Sequence, residues 1–395
     1  TDEGVFVSKR SSGSTFPPSE KPQKVVFRGF SKMRDGKINE LGPGGMGIQV
    51  IDPDSGIIVA AGAQSPFIGF GDKTWFAGYD GKTGKQLWTK EWSMPFSATL
   101  FGPAYGANMV AGEGVFCVYE KETLKWNIFD LATGNLKVTS DPRPGTDWGH
   151  YCEGGNIAYG KLFSAGYDGL LCAWDLTTGK LLWSASSGNA GEETVYGTWP
   201  LVTGPIADGV VYTYTNEHSP SSPFYRGAKL HAIDVNNGQE LWSLTGWWGH
   251  NHYSMNGLAI ADGYLIAPNM YDGQVYCFGK GQSAVTVAAS PKVASTSTGT
   301  LIEGTVTDQS SGAKGTPAIA DQYMSSWMEY LYQQKPKPAN VQGVSVKLTA
   351  VGSAGNLIDI GTATSDARGM FKKMWTPPSG GEYAIVATFE GSGSY

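Results

Sequence analysis

The sequence predicts an all-β chain, a β-propeller of four-stranded blades followed by a β-sandwich with a short helical insert. Three observations carry that expectation. The 395 residues include 55 Gly, 21 Pro, 13 Trp and 19 Tyr, a composition suited to many short strands joined by tight turns. A ten-residue hairpin pattern returns four times. Beyond residue 281 that pattern stops, and runs of alternating apolar and polar residues replace it.

The hairpin copies are 79–88 (YDGKTGKQLW), 129–138 (FDLATGNLKV), 174–183 (WDLTTGKLLW) and 233–242 (IDVNNGQELW). Their aspartates, Asp80, Asp130, Asp175 and Asp234, are separated by 50, 45 and 59 residues, a period that signals a repeat architecture. Gly84, Gly134, Gly179 and Gly238 are placed to supply the positive φ of a tight turn. An aspartate ahead of such a turn bonds backbone N–H groups two residues on and needs no metal to do so. Trp88, Trp183 and Trp242 close three of the copies as large flat side chains suited to wedging between neighbouring sheets.

A second unit precedes the hairpin. Residues 150–169 align with 252–273, and 204–214 (GPIADGVVYTY) and 105–119 share their core pattern. In each, an apolar strand meets a glycine turn and then a strand rich in Val, Tyr, Phe or Ala. Together the two units give four strands per period, the content of a propeller blade. The expected organisation is a propeller over 1–282, with about five blades and a partial N-terminal one, because 4–42 contains strand-like runs (VFV, KVVFRGF) without a complete hairpin copy. The longest interval between aspartates holds 216–226 (NEHSPSSPFYR), read as an insertion between strands.

From 283 to 395, four successive segments alternate with period two and are separated by turn residues, the pattern of a β-sandwich of immunoglobulin type. Inside it, 317–334 has the chain's one good helical spacing, with Met324, Trp327, Met328 and Leu331 on one face. The expectation is an insert packed on the sandwich or against the propeller, stopped by the KPKPA that follows.

Charge and cysteine usage narrow the function. The formal net charge is −6 with 16% charged residues and no Lys/Arg cluster, which argues against a nucleic-acid partner. No apolar run approaches the roughly 20 residues needed to cross a bilayer. Membrane attachment is expected only through segments outside this chain, whose start at Thr1 shows no apolar leader. Cys117, Cys152, Cys172 and Cys277 form no C-x-x-C pair, so a zinc site of that kind is not expected. Cys172 and Cys277 follow equivalent YDG turns and are expected to be buried thiols. A disulfide involving Cys117 or Cys152 is left open. No N-x-S/T sequon occurs.

The hairpins around Asp80, Asp175 and Asp234, reading D-x-x-(T/N)-G-x-x-x-W, resemble the tryptophan-docking repeat of pyrroloquinoline quinone (PQQ) dehydrogenases and related propellers. This resemblance covers about 44–281. The order of propeller and then sandwich with a W-M-E-Y helix resembles large surface proteins of archaea. Enzymes of the PQQ group grip their cofactor with a vicinal disulfide, an indole, a calcium ion held by carboxylate and amide ligands, and an aspartate base. No two cysteines are adjacent here, so the disulfide platform is absent from this segment. Glu153, Asn156, Asp147, Glu192 and Glu193 lie in inter-blade stretches that such a site would use.

Other constellations are read beside that one. His250 and His252 in WWGHNH point to one face if extended and form the candidate metal pair; the competing reading has them donating to loop carbonyls. Asp52 and Asp54 in DPDSG resemble half a calcium loop but lack its closing Glu, so a hairpin turn is expected. Trp148, Trp199, Trp247 and Trp248 offer either a sugar- or peptide-binding face or inter-blade packing. No catalytic set assembles, and no cofactor is predicted, with PQQ or calcium retained as the rival. The expectation is a non-catalytic, extracytoplasmic structural or interaction protein, at the cell surface or secreted. Its partners would be other protein domains, copies of itself or a glycan. The alternatives are a PQQ- and calcium-dependent dehydrogenase and a protein-docking scaffold in an envelope assembly.

Overall fold

The structure, a computed structural model, describes residues 47–63, 73–93, 109–121, 123–145, 147–150, 154–217, 224–249 and 257–395. The partial blade expected over 4–42 lies outside the described residues. Four four-stranded antiparallel sheets follow one another in the chain. The first is β1 (Gly47–Asp52), β2 (Ile57–Ala63), β3 (Lys73–Asp80) and β4 (Gln86–Ser93); the second is β5 (Met109–Gly112), β6 (Val115–Glu120), β7 (Lys125–Asp130) and β8 (Leu136–Thr139). The third is β9 (Asn156–Ala158), β10 (Lys161–Ala165), β11 (Leu170–Asp175) and β12 (Leu181–Ser186); the fourth is β13 (Leu201–Ala207), β14 (Val210–Thr215), β15 (Lys229–Asp234) and β16 (Glu240–Thr245). A fifth sheet has three strands, β17 (Ala259–Ala261), β18 (Tyr264–Asn269) and β19 (Gln274–Phe278). Each strand pairs with its sequence neighbour, the connectivity of propeller blades.

Contacts divide the chain into two compact units. One comprises Thr1–Ala228, Ala232–Glu240 and Gly249–Asn256; the other comprises Lys229–His231, Leu241–Trp248 and Gly257–Tyr395. In the first unit, consecutive blades are joined by apolar clusters. Val59, Phe76 and Trp88 pack with Phe116, Phe129 and Leu131. Tyr119, Trp126 and Ile128 pack with Leu162, Cys172 and Trp174. Phe163, Leu171 and Ala173 pack with Leu201, Val211 and Ile233.

The second unit continues past β19 into two three-stranded sheets. One is ordered β20 (Ser283–Ser290), β21 (Thr300–Asp308) and β24 (Met370–Trp375); the other is β23 (Leu357–Thr364), β22 (Ser345–Gly352) and β25 (Tyr383–Thr388). Alternate residues, among them Ile302, Val306, Val346, Leu348 and Phe371, meet in one core, as two stacked sheets with period-two strands require. Helix α1 (Met324–Gln333) buries Trp327 against Ile319 and Val341, with Met324 and Leu331 beside it.

The repeated turn has one chemistry in all four copies. Gly84, Gly134, Gly179 and Gly238 adopt φ of 68°, 70°, 71° and 73°. Each donates its N–H to the carbonyl of the aspartate four residues earlier, at 2.7 to 3.0 Å. The aspartate side chain closes the turn from inside: Asp80 Oδ1 accepts from Thr83 N (2.6 Å) and Thr83 Oγ1 (2.8 Å). Asp130 and Asp175 accept in the same way from Thr133 and Thr178, and Asp234 accepts from the backbone of Asn236 and Asn237. In the first three copies the register slips just before the aspartate, at Gly78/Tyr79, Ile128/Phe129 and Ala173/Trp174, a bulge that bends the hairpin.

Two turns receive an indole from the preceding blade. Trp88 Nε1 donates to Leu131 O at 2.9 Å, and its ring is stacked on Phe116 with 5.6 Å between centroids. Trp183 Nε1 donates to Val235 O at 3.2 Å. A Cβ at Gly134 would lie 2.5 Å from the Trp88 ring, and one at Gly238 would lie 2.6 Å from Trp183. Where Val138 replaces tryptophan, backbone fills the gap: the corresponding point of Gly179 faces Thr139 O at 2.9 Å and Val138 Cγ2 at 3.1 Å. Trp242 lies against Phe278 with centroids 5.4 Å apart.

Several smaller expectations resolve here. Asp52 is buried and accepts from Ser55 N (3.2 Å) and Ser55 Oγ (2.5 Å) in the β1–β2 hairpin, the plain turn expected for DPDSG. Cys117 and Cys172 are fully buried thiols outside any disulfide, and burial pushes the Cys117 thiol far up. Cys277 departs from the expectation of a buried thiol: it is exposed. It pairs with Ile266, itself 46% exposed, so the two side chains share an exposed patch of the sheet. Cys152 lies outside the described residues.

Gly56 and Gly134 have nearly the same φ, 68° and 70°, but a Cβ at Gly56 meets nothing within 4 Å. Gly56→Ala should therefore cost only the left-handed backbone penalty, about 1–2 kcal/mol. Gly134→Ala should cost clearly more because it also displaces Trp88, and Trp88→Ala about 3–5 kcal/mol; urea unfolding of the three variants checks the order. The Thr83 hydroxyl and amide hold Asp80 below the usual carboxylate pKa, and Thr178 does the same for Asp175. Depressed pKa values stabilise the fold at neutral pH and lose that contribution as pH falls through them, below about pH 5. Thermal melts should show a shallower acid decline in Asp80→Ala/Asp175→Ala.

Candidate functional site

Residues left over from turns and blade packing converge between the third and fourth blades. The base of this region is a buried ion pair. Arg143, beyond β8, donates Nε to Asp168 Oδ2 at 2.6 Å and Nη2 to Asp168 Oδ1 at 2.7 Å, with both side chains fully buried. The guanidinium also donates to the carbonyls of Ser164 (Nη1, 3.1 Å) and Leu170 (Nη2). A bidentate arginine that donates two further bonds to carbonyls is the arrangement that makes a buried charge tolerable. Three glycines make room for it, since a Cβ on Gly145, Gly149 or Gly166 would lie 2.9, 3.2 or 2.9 Å from an Asp168 carboxylate oxygen.

The pair fixes two backbone segments. Asp168 sits in the turn between β10 and β11, next to Tyr167. Gly149, facing the pair, belongs to the short 3-10 helix Asp147–His150, whose Gly149 carbonyl accepts from Tyr119 Oη at 2.8 Å. Trp148 and Tyr167 are thereby both held against Tyr196, edge to face at 5.0 Å and 5.1 Å between centroids. Thr198 Oγ1 donates to Tyr167 O at 3.2 Å and ties the 187–199 segment to the same turn.

Glu217 is the polar centre of the cluster. Its Oε2 accepts from Tyr196 Oη at 3.1 Å and from Tyr225 Oη at 2.9 Å. Burial, and then the Glu217 carboxylate, push the Tyr225 phenol far above its ordinary pKa. The Tyr225 phenol therefore remains a donor at neutral pH. Trp199 lies against Tyr225 at 6.1 Å. Glu193 accepts from Arg226 N, and the Arg226 side chain stays 93% exposed beside it. The result is a face of aromatic rings around a carboxylate already engaged by two phenols. It can present π surface and acceptor oxygen to a partner, and among its described residues no nucleophile is paired with a base.

The candidates from sequence fall variously around this face. Trp148, Trp199 and Glu193 belong to it. Trp247 and Trp248 do not: they are 1% and 0% exposed, and Trp248 Nε1 donates to Leu244 O at 3.0 Å, so their part is packing. Asn156 donates Nδ2 to Gly204 O at 2.6 Å. Glu192 is exposed. The metal pair His250 and His252 and the carboxylate Glu153 lie outside the described residues, as does the Asp147 side chain. Among the described residues no group of three or more His, Cys, Asp or Glu is placed to hold a metal ion. Arg143, Asp168, Tyr196, Glu217 and Tyr225 were not singled out by sequence reasoning; the one signal was the 216–226 insertion, which supplies Glu217 and Tyr225.

Asp168→Ala leaves the Arg143 guanidinium buried without its partner and should lower the unfolding free energy by about 3–5 kcal/mol. Replacing both residues with apolar ones of similar volume should recover much of that loss. Chemical denaturation of the single and double variants measures both.

Over 85% of both chains the structure is similar to BamB from Moraxella catarrhalis, at 13% identity and a TM-score of 0.38. It is similar to a europium-containing methanol dehydrogenase over 57% of this chain and 49% of that one, at 13% identity and a TM-score of 0.35. Comparison with curated proteins finds no match. Residues 72–276, just over half of the sequence, match the family described as outer membrane protein assembly factor BamB, and the chain belongs to that family.

Proposed function

We propose that this chain is a non-catalytic, extracytoplasmic docking protein of the cell envelope or surface, in which the propeller is a rigid scaffold. Asp80, Asp130, Asp175 and Asp234, with their glycines and with Trp88, Trp183 and Trp242, serve as turn formers and blade clamps. The sandwich over 283–395 acts as an immunoglobulin-like accessory module. One observation carries the reading: every recurrent polar residue of the repeat is spent on its own turn, as the Asp80, Asp130, Asp175 and Asp234 carboxylates show. What varies between the repeats is the loop chemistry, and aromatic residues dominate it where the third and fourth blades meet.

The face built by Trp148, Tyr196, Glu217 and Tyr225 suits another protein's surface, because tyrosine and tryptophan give large contact area at little entropic cost. The family name, which refers to outer membrane assembly, supports a protein partner in an envelope. No helix among the described residues is long and apolar enough to cross a membrane, and attachment would come from elsewhere.

Val195, adjacent to Tyr196 and 79% exposed, is the place to test this. A photo-crosslinking residue there should give a discrete adduct with one envelope protein, weakened severalfold by Tyr196→Ala/Tyr225→Ala. Absence of any adduct would count against docking at this face. Titration with PQQ and Ca²⁺ that produced a quinone absorption band and dye reduction would replace the reading with a dehydrogenase.

A further inference from the structure

Strand β16 is last in the sheet order β13-β14-β15-β16, so among the described residues no strand lies beside its outer edge. Such an edge presents a row of backbone N–H and C=O groups, a template for pairing with another chain. Here side chains of helix α1 occupy the row. Ser325 Oγ accepts from Ser243 N at 3.1 Å. The Glu329 carboxylate accepts from Thr245 N at 3.0 Å and from the Thr245 hydroxyl. Gln333 Nε2 donates to Thr245 O at 2.6 Å.

The spacing on both sides is regular. Residues 325, 329 and 333 recur every four positions and form one stripe of the helix. Residues 243 and 245 alternate and so present their backbone groups along one strand edge. The helix thus reproduces with side chains the bonds that a neighbouring strand would make with its backbone. Its other side is held by Trp327, 2% exposed against Ile319 and Val341. At ten residues and without a side-chain N-cap, α1 is too short to be stable alone in water, so it depends on these two attachments.

We propose that α1 is a cover that keeps β16 from pairing edge to edge with β16 of a second copy of this chain. The sequence of the strand favours that occupant over an unlike one. An antiparallel pair about a two-fold axis is self-complementary; Glu240 is the strand's one charged residue, and in a pair centred on Ser243 it falls opposite Gly246, so no like charges meet. A pair centred on Ser243 places Ser243 opposite its own copy.

The test uses the full chain with Cys277→Ser, which removes the exposed thiol, and with Ser243→Cys as reporter. Two covers are loosened to different degrees: Glu329→Ala/Gln333→Ala removes three of the bonds, and Tyr330→Pro breaks the helix. Hydrogen exchange at the 243 and 245 amides should become roughly tenfold faster or more when the cover is loosened. Sedimentation velocity should then show concentration-dependent dimers, and mild oxidation should give a 243–243 disulfide that the parent does not form. Variants that keep their circular dichroism and expose the two amides, yet show no new association and no crosslink, would overturn the proposal. Unchanged amide protection in a folded Tyr330→Pro variant would overturn it as well.

Discussion

The propeller depends on an indole laid over a glycine. Trp88 reaches from the first blade to the turn of the second, and Trp183 from the third to the fourth, each donating to the carbonyl just after the turn aspartate. The contact works only if the turn has no Cβ at that point, and the turn itself requires a positive φ there. One glycine therefore meets two demands, and the hydrogen-bonded aspartate supplies the geometry that lets it do so. The stack of Trp88, Phe116 and Phe129, with centroids 5.6 and 4.8 Å apart, extends the contact into the apolar core between the first two blades. The blade without a tryptophan shows the same constraint from the other side, because backbone at 139–140 has to fill the space.

A rigid stack of blades permits strain and charge to be concentrated in the loops. The Arg143–Asp168 pair is an expensive way to join two segments: two charges are taken out of water, and three glycines are needed around them. What it achieves is placement, since Gly149 and Asp168 carry their neighbours Trp148 and Tyr167 to the Tyr196 ring. The aromatic face is thus built on a charged foundation. In the second unit the same logic appears with different chemistry, where a short helix with one apolar and one polar stripe is attached on both sides and could not persist without either.

How far the sequence could be read follows from the range of each interaction. The turns were legible because everything they need lies within five residues: Asp, Thr or Asn, and Gly. The helix was legible from its spacing at 324, 327, 328 and 331, but its polar stripe was not, since its partners Ser243 and Thr245 are more than 80 residues away. Cys172 and Cys277 follow the same YDG turn and diverge in burial, because Cys172 packs with Cys117, Tyr119 and Trp126 of the preceding sheet, a contact that the local sequence does not specify. Trp247 and Trp248 looked as available as Trp148 and Trp199, and only packing separated them. Of the five residues at the centre of the candidate site, Asp168 stands in a YDG turn and Glu217 and Tyr225 in the 216–226 insertion, but nothing local pairs them with their partners; 25 residues separate Arg143 from Asp168, and 21 separate Tyr196 from Glu217.

By itself, then, the sequence determined the hairpin period, the turn conformation and the all-β class, because period-two alternation and positive-φ glycines act through bonds between near neighbours. Tertiary structure alone decided which tryptophans clamp and which are buried, which thiol is exposed, where an arginine finds its carboxylate, and which strand edge a helix covers. Those outcomes depend on which surfaces come face to face, and side chains far apart in the chain acquire their roles only once the sheets have stacked.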